Sequence, residues 1–163
     1  QALVEFALIV TPLFLLLLGI IQFGFIFNTY ITVTNATREA AREGSIYVYD
    51  RTQTKSVNDT LRNEEIKQTL LDSLNYLPKT APRFTVGSTW TVSNGGNTFT
   101  NGDLVITYTL PAGATDSDPR TGWQLTVRAT YHQDLLFPLI SVLLPRDSGG
   151  RLPLTGETTM VIN

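Results

Sequence analysis

His132 is the only histidine in the chain and stands two residues before Asp134. A histidine held by a carboxylate is part of a hydrolytic constellation, but that chemistry also needs a positioned nucleophile. No G-x-S-x-G elbow or equivalent partner set accompanies the pair, so an exposed histidine on the polar face of its strand is the expected reading. Asp116, Ser117 and Asp118 offer oxygen ligands for Ca²⁺, yet the remaining positions of a calcium loop are missing and an ordinary solvated turn is expected. Asn35-Ala36-Thr37 and Asn58-Asp59-Thr60 fit the glycosylation acceptor pattern, which arises often by chance. There is no cysteine, which removes disulfide frameworks, thiolate metal sites and thiol nucleophiles together. These residues lead us to expect no enzyme, no metal and no cofactor.

The other group with chemistry to offer is Glu5, the sole side-chain charge before Arg38. It heads a run of 22 uncharged residues, Phe6 to Phe27. A helix rises ~1.5 Å per residue, so this run spans ~33 Å, enough for a ~30 Å hydrocarbon core. The run is apolar all round rather than striped, so it seeks lipid or a wholly apolar protein interior. Left ionised and alone among such helices, the Glu5 carboxylate costs several kcal/mol in desolvation. Protonation, snorkelling to the membrane surface, or pairing with a cation removes that cost. The Gln1 ammonium is the nearest cation, at i to i+4 within one helix or from an adjoining copy. A helix N-terminal acid that merely favours the macrodipole is the simpler alternative. A removable signal peptide fits less well than a retained anchor, because the apolar stretch is long and lacks a small-x-small site.

Beyond Phe27 the sequence stays helix-compatible but becomes amphipathic, so one helix of ~65 Å is expected over residues 2–44, with Gly44 as its stop. Pro12 interrupts it by removing the bond to the Leu8 carbonyl, which Thr11 or another subunit must then satisfy. Gly19 and Gly24 permit close approach of a second helix. Phe6, Phe14, Phe23 and Phe27 supply bulky groups for an apolar core.

Gln-Ala-Leu-Val-Glu-Phe-Ala-Leu at the start, Pro-Leu-Phe-Leu-Leu-Leu-Leu-Gly-Ile-Ile-Gln-Phe-Gly in the run, and Thr-Asn-Ala-Thr-Arg-Glu-Ala-Ala-Arg-Glu-Gly at its end resemble the N-terminal signature of TadE-like pilins and pseudopilins. These belong to the tight-adherence branch of type IV filament systems. The resemblance is dense over residues 1–44 and weaker over 154–163. Thr11 and Gln22 depart from the usual form, the second where an acid is common. The resemblance implies a prepilin peptidase cut just before Gln1 and a helix that sits in the membrane or packs in a filament core.

The remaining 119 residues support one further domain, giving a division into a helix, 1–44, and an extracytoplasmic head, 45–163. The formal charge of −2 is shared evenly between the two parts. No basic stripe exists, so no nucleic-acid partner is expected. Residues 46–49 read as a short strand or a helical extension. A second helix is expected over 57–77, with Ser56 and Asp59 as a capping box, Asn63 as a competing start and Pro78 as its end. From Arg83 the period becomes two, and strands are expected over 84–92, 104–110, 123–131 and 152–162. The sum is an α+β fold: a long N-terminal helix, then one helix packed on a four-stranded antiparallel sheet. Residues 135–144, with Leu135, Leu136, Phe137, Leu139, Ile140, Leu143 and Leu144, form an apolar stretch broken by Pro138. It reads equally as a head interface or as part of the head's own core.

Two functional classes remain in view. One is a structural subunit that polymerises with itself through Gln1, Glu5 and the apolar helix into an extracellular adhesive pilus, drawn from an inner-membrane pool by the peptidase and the assembly machinery. The other is a membrane-anchored minor pseudopilin or binding module that never forms the bulk of a filament.

Overall fold

One continuous helix, α1 (Ala2–Ser45), carries the whole apolar run and its amphipathic continuation. The structure is a computed structural model and describes residues 2–113, 119–137 and 144–163. Pro12 lies inside the helix without ending it. The second helix, α2, is Lys55–Ser73, and the strands are β1 (Thr91–Ser93), β2 (Thr98–Asn101), β3 (Leu104–Thr109), β4 (Gln124–Gln133) and β5 (Leu152–Val161). They form one antiparallel meander in the order β1-β2-β3-β4-β5. The architecture is therefore α+β as expected, with five strands rather than four.

The fifth strand comes from a stretch the alternation hides. Thr98-Phe99-Thr100-Asn101 pairs with β3 on one side and β1 on the other, through a 3₁₀ turn at Asn94–Gly96. Conversely, most of the strand expected over 84–92 is irregular; only its last two residues belong to β1. Side chains supply much of its backbone pairing in place of a ladder, beside a backbone bond from the Asp103 N–H to the Thr85 carbonyl. Asp103 Oδ2 accepts from the Thr85 N–H at 2.6 Å, and the Asn101 carboxamide bonds both backbone groups of Gly87. Gly102, at φ +59, lets the β2–β3 turn pass so close that a Cβ there would overlap the Thr85 carbonyl. Period-two sequence thus buries Phe84 against Tyr131 without making a sheet strand.

Inward residues alternate as the pleat demands: Leu104, Ile106 and Tyr108 on β3, then Leu125, Val127, Ala129 and Tyr131 on β4. Both helices cover this face. α2 presents Ile66 and Leu70, while α1 presents Val33, Ala36, Ala40 and Ala41. Small residues set the spacing. A Cβ at Gly156 on β5 would stand 3.0 Å from the Val33 carbonyl, and one at Gly44 would stand 2.5 Å from the Ile66 Cδ1. Gly44 is therefore a packing residue in the last turn of α1, not a residue beyond its end. The helix finishes at Ser45, whose hydroxyl donates to the Arg42 carbonyl. The expected division at residue 44 follows composition, whereas burial along α1 begins at Gln22 and the hydrophobic core takes up the helix from Val33 onward.

α2 begins two residues earlier than expected, with the Thr54 hydroxyl accepting from the Val57 N–H. No capping box forms, because Asp59 turns inward. The helix also stops four residues early: Asn75 takes a positive φ of 56 and the chain turns before Pro78. Residues 46–50 adopt neither strand nor helix.

Candidate assembly helix and the groups around it

Phe6, Phe14, Phe23 and Phe27 are all exposed, at 59% to 67%, and Leu3 reaches 80%. α1 is long and apolar enough to cross a membrane. Glu5 is exposed in its first turn; Gln1 lies outside the described residues, so the Gln1–Glu5 pairing does too. The Thr11 hydroxyl donates to the Ala7 carbonyl at 2.8 Å, one residue short of the Leu8 carbonyl that Pro12 leaves without its usual donor. Thr11 therefore does not compensate for the proline. A Cβ at Gly24 would meet nothing within 4 Å, so this position faces open space. Gly19 is half-covered.

From Gln22 onward one stripe of α1 becomes covered: Gln22, Thr29, Val33, Ala36 and Ala40 are buried at helical spacing. Gln22 Oε1 accepts from the backbone N–H of Leu136 at 2.9 Å, and the Thr29 hydroxyl donates to Gln133 Oε1 at 2.8 Å. The start of the apolar stretch after β4, at Leu136, thus lies beside the helix. Leu135 and Phe137 are half-buried, Leu136 is exposed, and Leu144 is half-buried. Leu139, Ile140 and Leu143 lie outside the described residues.

Residues 1–42 match the family model described as TadE-like protein. This segment is TadE-like. No curated protein and no solved structure matches the chain significantly. The match covers residues 1–42 alone, and it ends three residues before α1 does. The TadE-like segment thus holds both the exposed apolar stretch and most of the helix that completes the head.

The head's polar candidates are arranged differently from the expectation. His132 is half-buried, with Nδ1 2.6 Å from Asp147 Oδ2 and Nε2 3.2 Å from Asp103 Oδ1. Asp134 does not pair with it and instead takes Arg83 at 2.6 Å and Arg151 at 2.9 Å. Both ring nitrogens therefore link loops to β4. Asp116, Ser117 and Asp118 lie outside the described residues. Asn58 is buried; its amide donates to the Asp50 and Thr54 carbonyls while Oδ1 accepts from the Asp50 N–H, so it is a loop clasp and not a glycan acceptor. Asn35 is exposed.

Sequence reading missed the charged cluster under α2. Arg120 is 2% exposed and grips Asp59 with Nε at 3.1 Å and Nη2 at 2.9 Å, while Nη1 donates to Asn97 at 2.7 Å. Its guanidinium lies over the rings of Tyr108 and Trp123 at 4.4 and 4.6 Å. Arg62, equally buried, sits 4.0 Å from Asp59 and over Tyr47. Burial pushes the Tyr108 hydroxyl well above its ordinary range, although the two arginines oppose it, and that hydroxyl donates to Asn63 at 2.7 Å. A signal was present: the Ile66–Leu70–Leu74 stripe extends backward by helical steps to Asn63, Arg62 and Asp59. A cleft of about 640 Å³ opens beside the cluster between α2 and the β1–β2 turn. The Arg120 donors at its floor are already committed to protein acceptors.

Proposed function

We propose that the chain is a structural pilin subunit that polymerises through α1 into an extracellular tight-adherence pilus, serving adhesion or surface attachment. The reading assigns it no catalysis and no cofactor. One observation carries it: a finished head is built on the inner part of a helix whose outer part leaves Leu3, Phe6, Leu8 and Phe14 without protein cover. Before assembly that outer part is held in the cytoplasmic membrane; after peptidase cleavage and extraction by the assembly machinery, neighbouring copies replace the lipid. Each Å² of apolar area kept from water then contributes ~25 cal/mol. A repeated head-to-tail contact that does not close yields an open helix. Glu5 is proposed to meet a Gln1 amine in that core, its own or a neighbour's, which fixes axial register.

Filaments sheared from the producing cell and sequenced are expected to contain this chain as their main component. Recovery of the chain only in trace amounts would assign it instead to the minor, assembly-factor class. With Glu5→Ala, membrane level is expected to stay normal while surface filaments fall at least tenfold. Normal filament yield from that variant removes Glu5 from assembly.

A further inference from the structure

We propose that the head does not stand clear of the bilayer: the edge formed by Leu135, Leu136 and Phe137 is immersed in it, as a second anchor beside α1. The inference rests on the membrane-anchored state in the reading above, and its partner is the lipid surface itself.

The argument is one of depth. Glu5 marks one border of the uncharged run. A hydrocarbon core of ~30 Å takes ~20 helical residues, which places the opposite border near Phe25. Tilting the helix needs more residues and moves that border toward Phe27. The Leu136 amide, however, is bonded to the side chain of Gln22, three residues on the hydrocarbon side of Phe25. Residues 6–21 alone, before the first buried position at Gln22, span only ~24 Å. The head therefore cannot clear the membrane unless part of the apolar run is drawn out into water.

The chemistry at each level fits immersion. Leu136 is 58% exposed although it lies at the foot of the head. Its backbone N–H, which would lack water there, takes the one polar side chain between Thr11 and Asn28. Phe25, Leu136, Leu77 and Pro78 line one hollow together with Asn28, Thr29, Gln133 and the Arg83–Asp134 ion pair. On the other flank Tyr76 is 96% exposed and shares a second hollow with Asn28 and Thr32. Apolar groups thus lie at the level of Gln22–Phe25, with tyrosine and charged groups at the next turns, the order found across a membrane interface.

The chain lacks cysteine, so single cysteines can carry a nitroxide in the full-length protein. The protein is reconstituted in phosphatidylethanolamine–phosphatidylglycerol vesicles, and each label's collisions with oxygen and with a water-soluble nickel chelate are compared. Phe14→Cys reports the anchor, Val48→Cys the exposed head, and Leu136→Cys and Tyr76→Cys the proposed edge and its border. The expected result is an oxygen preference at Leu136 approaching that at Phe14, a smaller one at Tyr76, and a nickel preference at Val48. A nickel preference at Leu136, with oxygen preferred at Phe14, overturns the immersed edge and leaves the anchor intact. A nickel preference at Phe14 overturns the anchor and the proposal with it. Because Leu136 and Tyr76 are both surface side chains, neither label requires the core to repack.

Discussion

The two ends of this molecule invert the usual rule for what is hidden. Along outer α1, leucines and phenylalanines lie uncovered, whereas inside the head two arginines, an aspartate and three asparagines are buried. The difference is one of partners. Most of these polar side chains are held by named neighbours: Asp59 by Arg120, Asn63 by Tyr108, and Asn58 by the loop it clasps, while the Nε and Nη1 of Arg62 and the amide nitrogen of Asn63 have no hydrogen-bond partner among the described residues. Among the described residues the leucines and phenylalanines of outer α1 stay uncovered; under the proposed function lipid, and then other copies, supply that cover. The head is a completed solution to the folding problem; outer α1 is half of one.

Where the first region ends is testable by cutting α1 at two places. A chain of residues 28–163 keeps Thr29, Val33, Ala36, Ala40 and Ala41 against the sheet, and it is expected to be a soluble monomer with mixed helix and strand circular dichroism. A chain of residues 45–163 loses all five and exposes Ile66, Leu125 and Val127, so it is expected to aggregate or remain unfolded. Losing these side chains and uncovering the apolar face beneath them removes an amount comparable with the ~5–15 kcal/mol by which a domain is usually stable. Equal solubility and equal spectra for the two fragments would restore residue 44 as the domain boundary.

A single substitution probes the head's interior. Asp59→Ala leaves Arg120 and Arg62 buried with no carboxylate between them, and removing one partner of a buried pair costs ~3–5 kcal/mol. Urea unfolding of the 28–163 fragment is expected to shift by that amount, whereas Glu5→Ala in the full chain is expected to leave head stability unchanged. A shift below ~1 kcal/mol would show that the two ring faces under Arg120 suffice to hold its charge.

The long helix was legible because 22 uncharged residues admit few alternatives, and the family resemblance lay in the same residues. β3, β4 and β5 were legible from strict alternation. What escaped were places where side chains replace backbone partners. Phe84 to Gly87 reads as a strand, but Asp103 and Asn101 take up its hydrogen bonds. Phe99, on β2, sits between threonines behind a glycine-rich turn, so its period is too short to recognise. Asp59 looks like a cap because its spacing from Ser56 is right; only the fold brings Arg120, 61 residues away, beneath it. The foot of the head escaped for the same reason: Gln22 meets Leu136 across 114 residues. Composition marks the apolar-to-polar change near Phe27, whereas packing begins on α1 before that change.

The smallest expected effect is on the head's acid response, and it comes from the rim rather than the interior. Burial opposes ionisation of Asp134, but hydrogen bonds from Arg83 and Arg151 outweigh it and hold its carboxyl below the usual range. Asp147 is lowered chiefly by the Arg151 backbone N–H, with further help from His132 and the Gly149 N–H. Both folded values are depressed, so each group contributes stability that is fully present above the unfolded carboxylate pKa, near ~4. That contribution is lost as pH falls through the folded value. Thermal unfolding of the 28–163 fragment is therefore expected to show no pH dependence from this pair between neutral pH and ~5, then a declining Tm below ~4. Because both side chains are partly solvent-exposed, screening keeps the change small. Asp147→Asn is expected to lower Tm slightly at neutral pH and to flatten the acid limb, since the carboxamide binds no proton there. An acid limb as steep in Asp147→Asn as in the parent would assign the loss to other carboxylates, and the loop at 147–151 would then contribute nothing to the head's tolerance of acid.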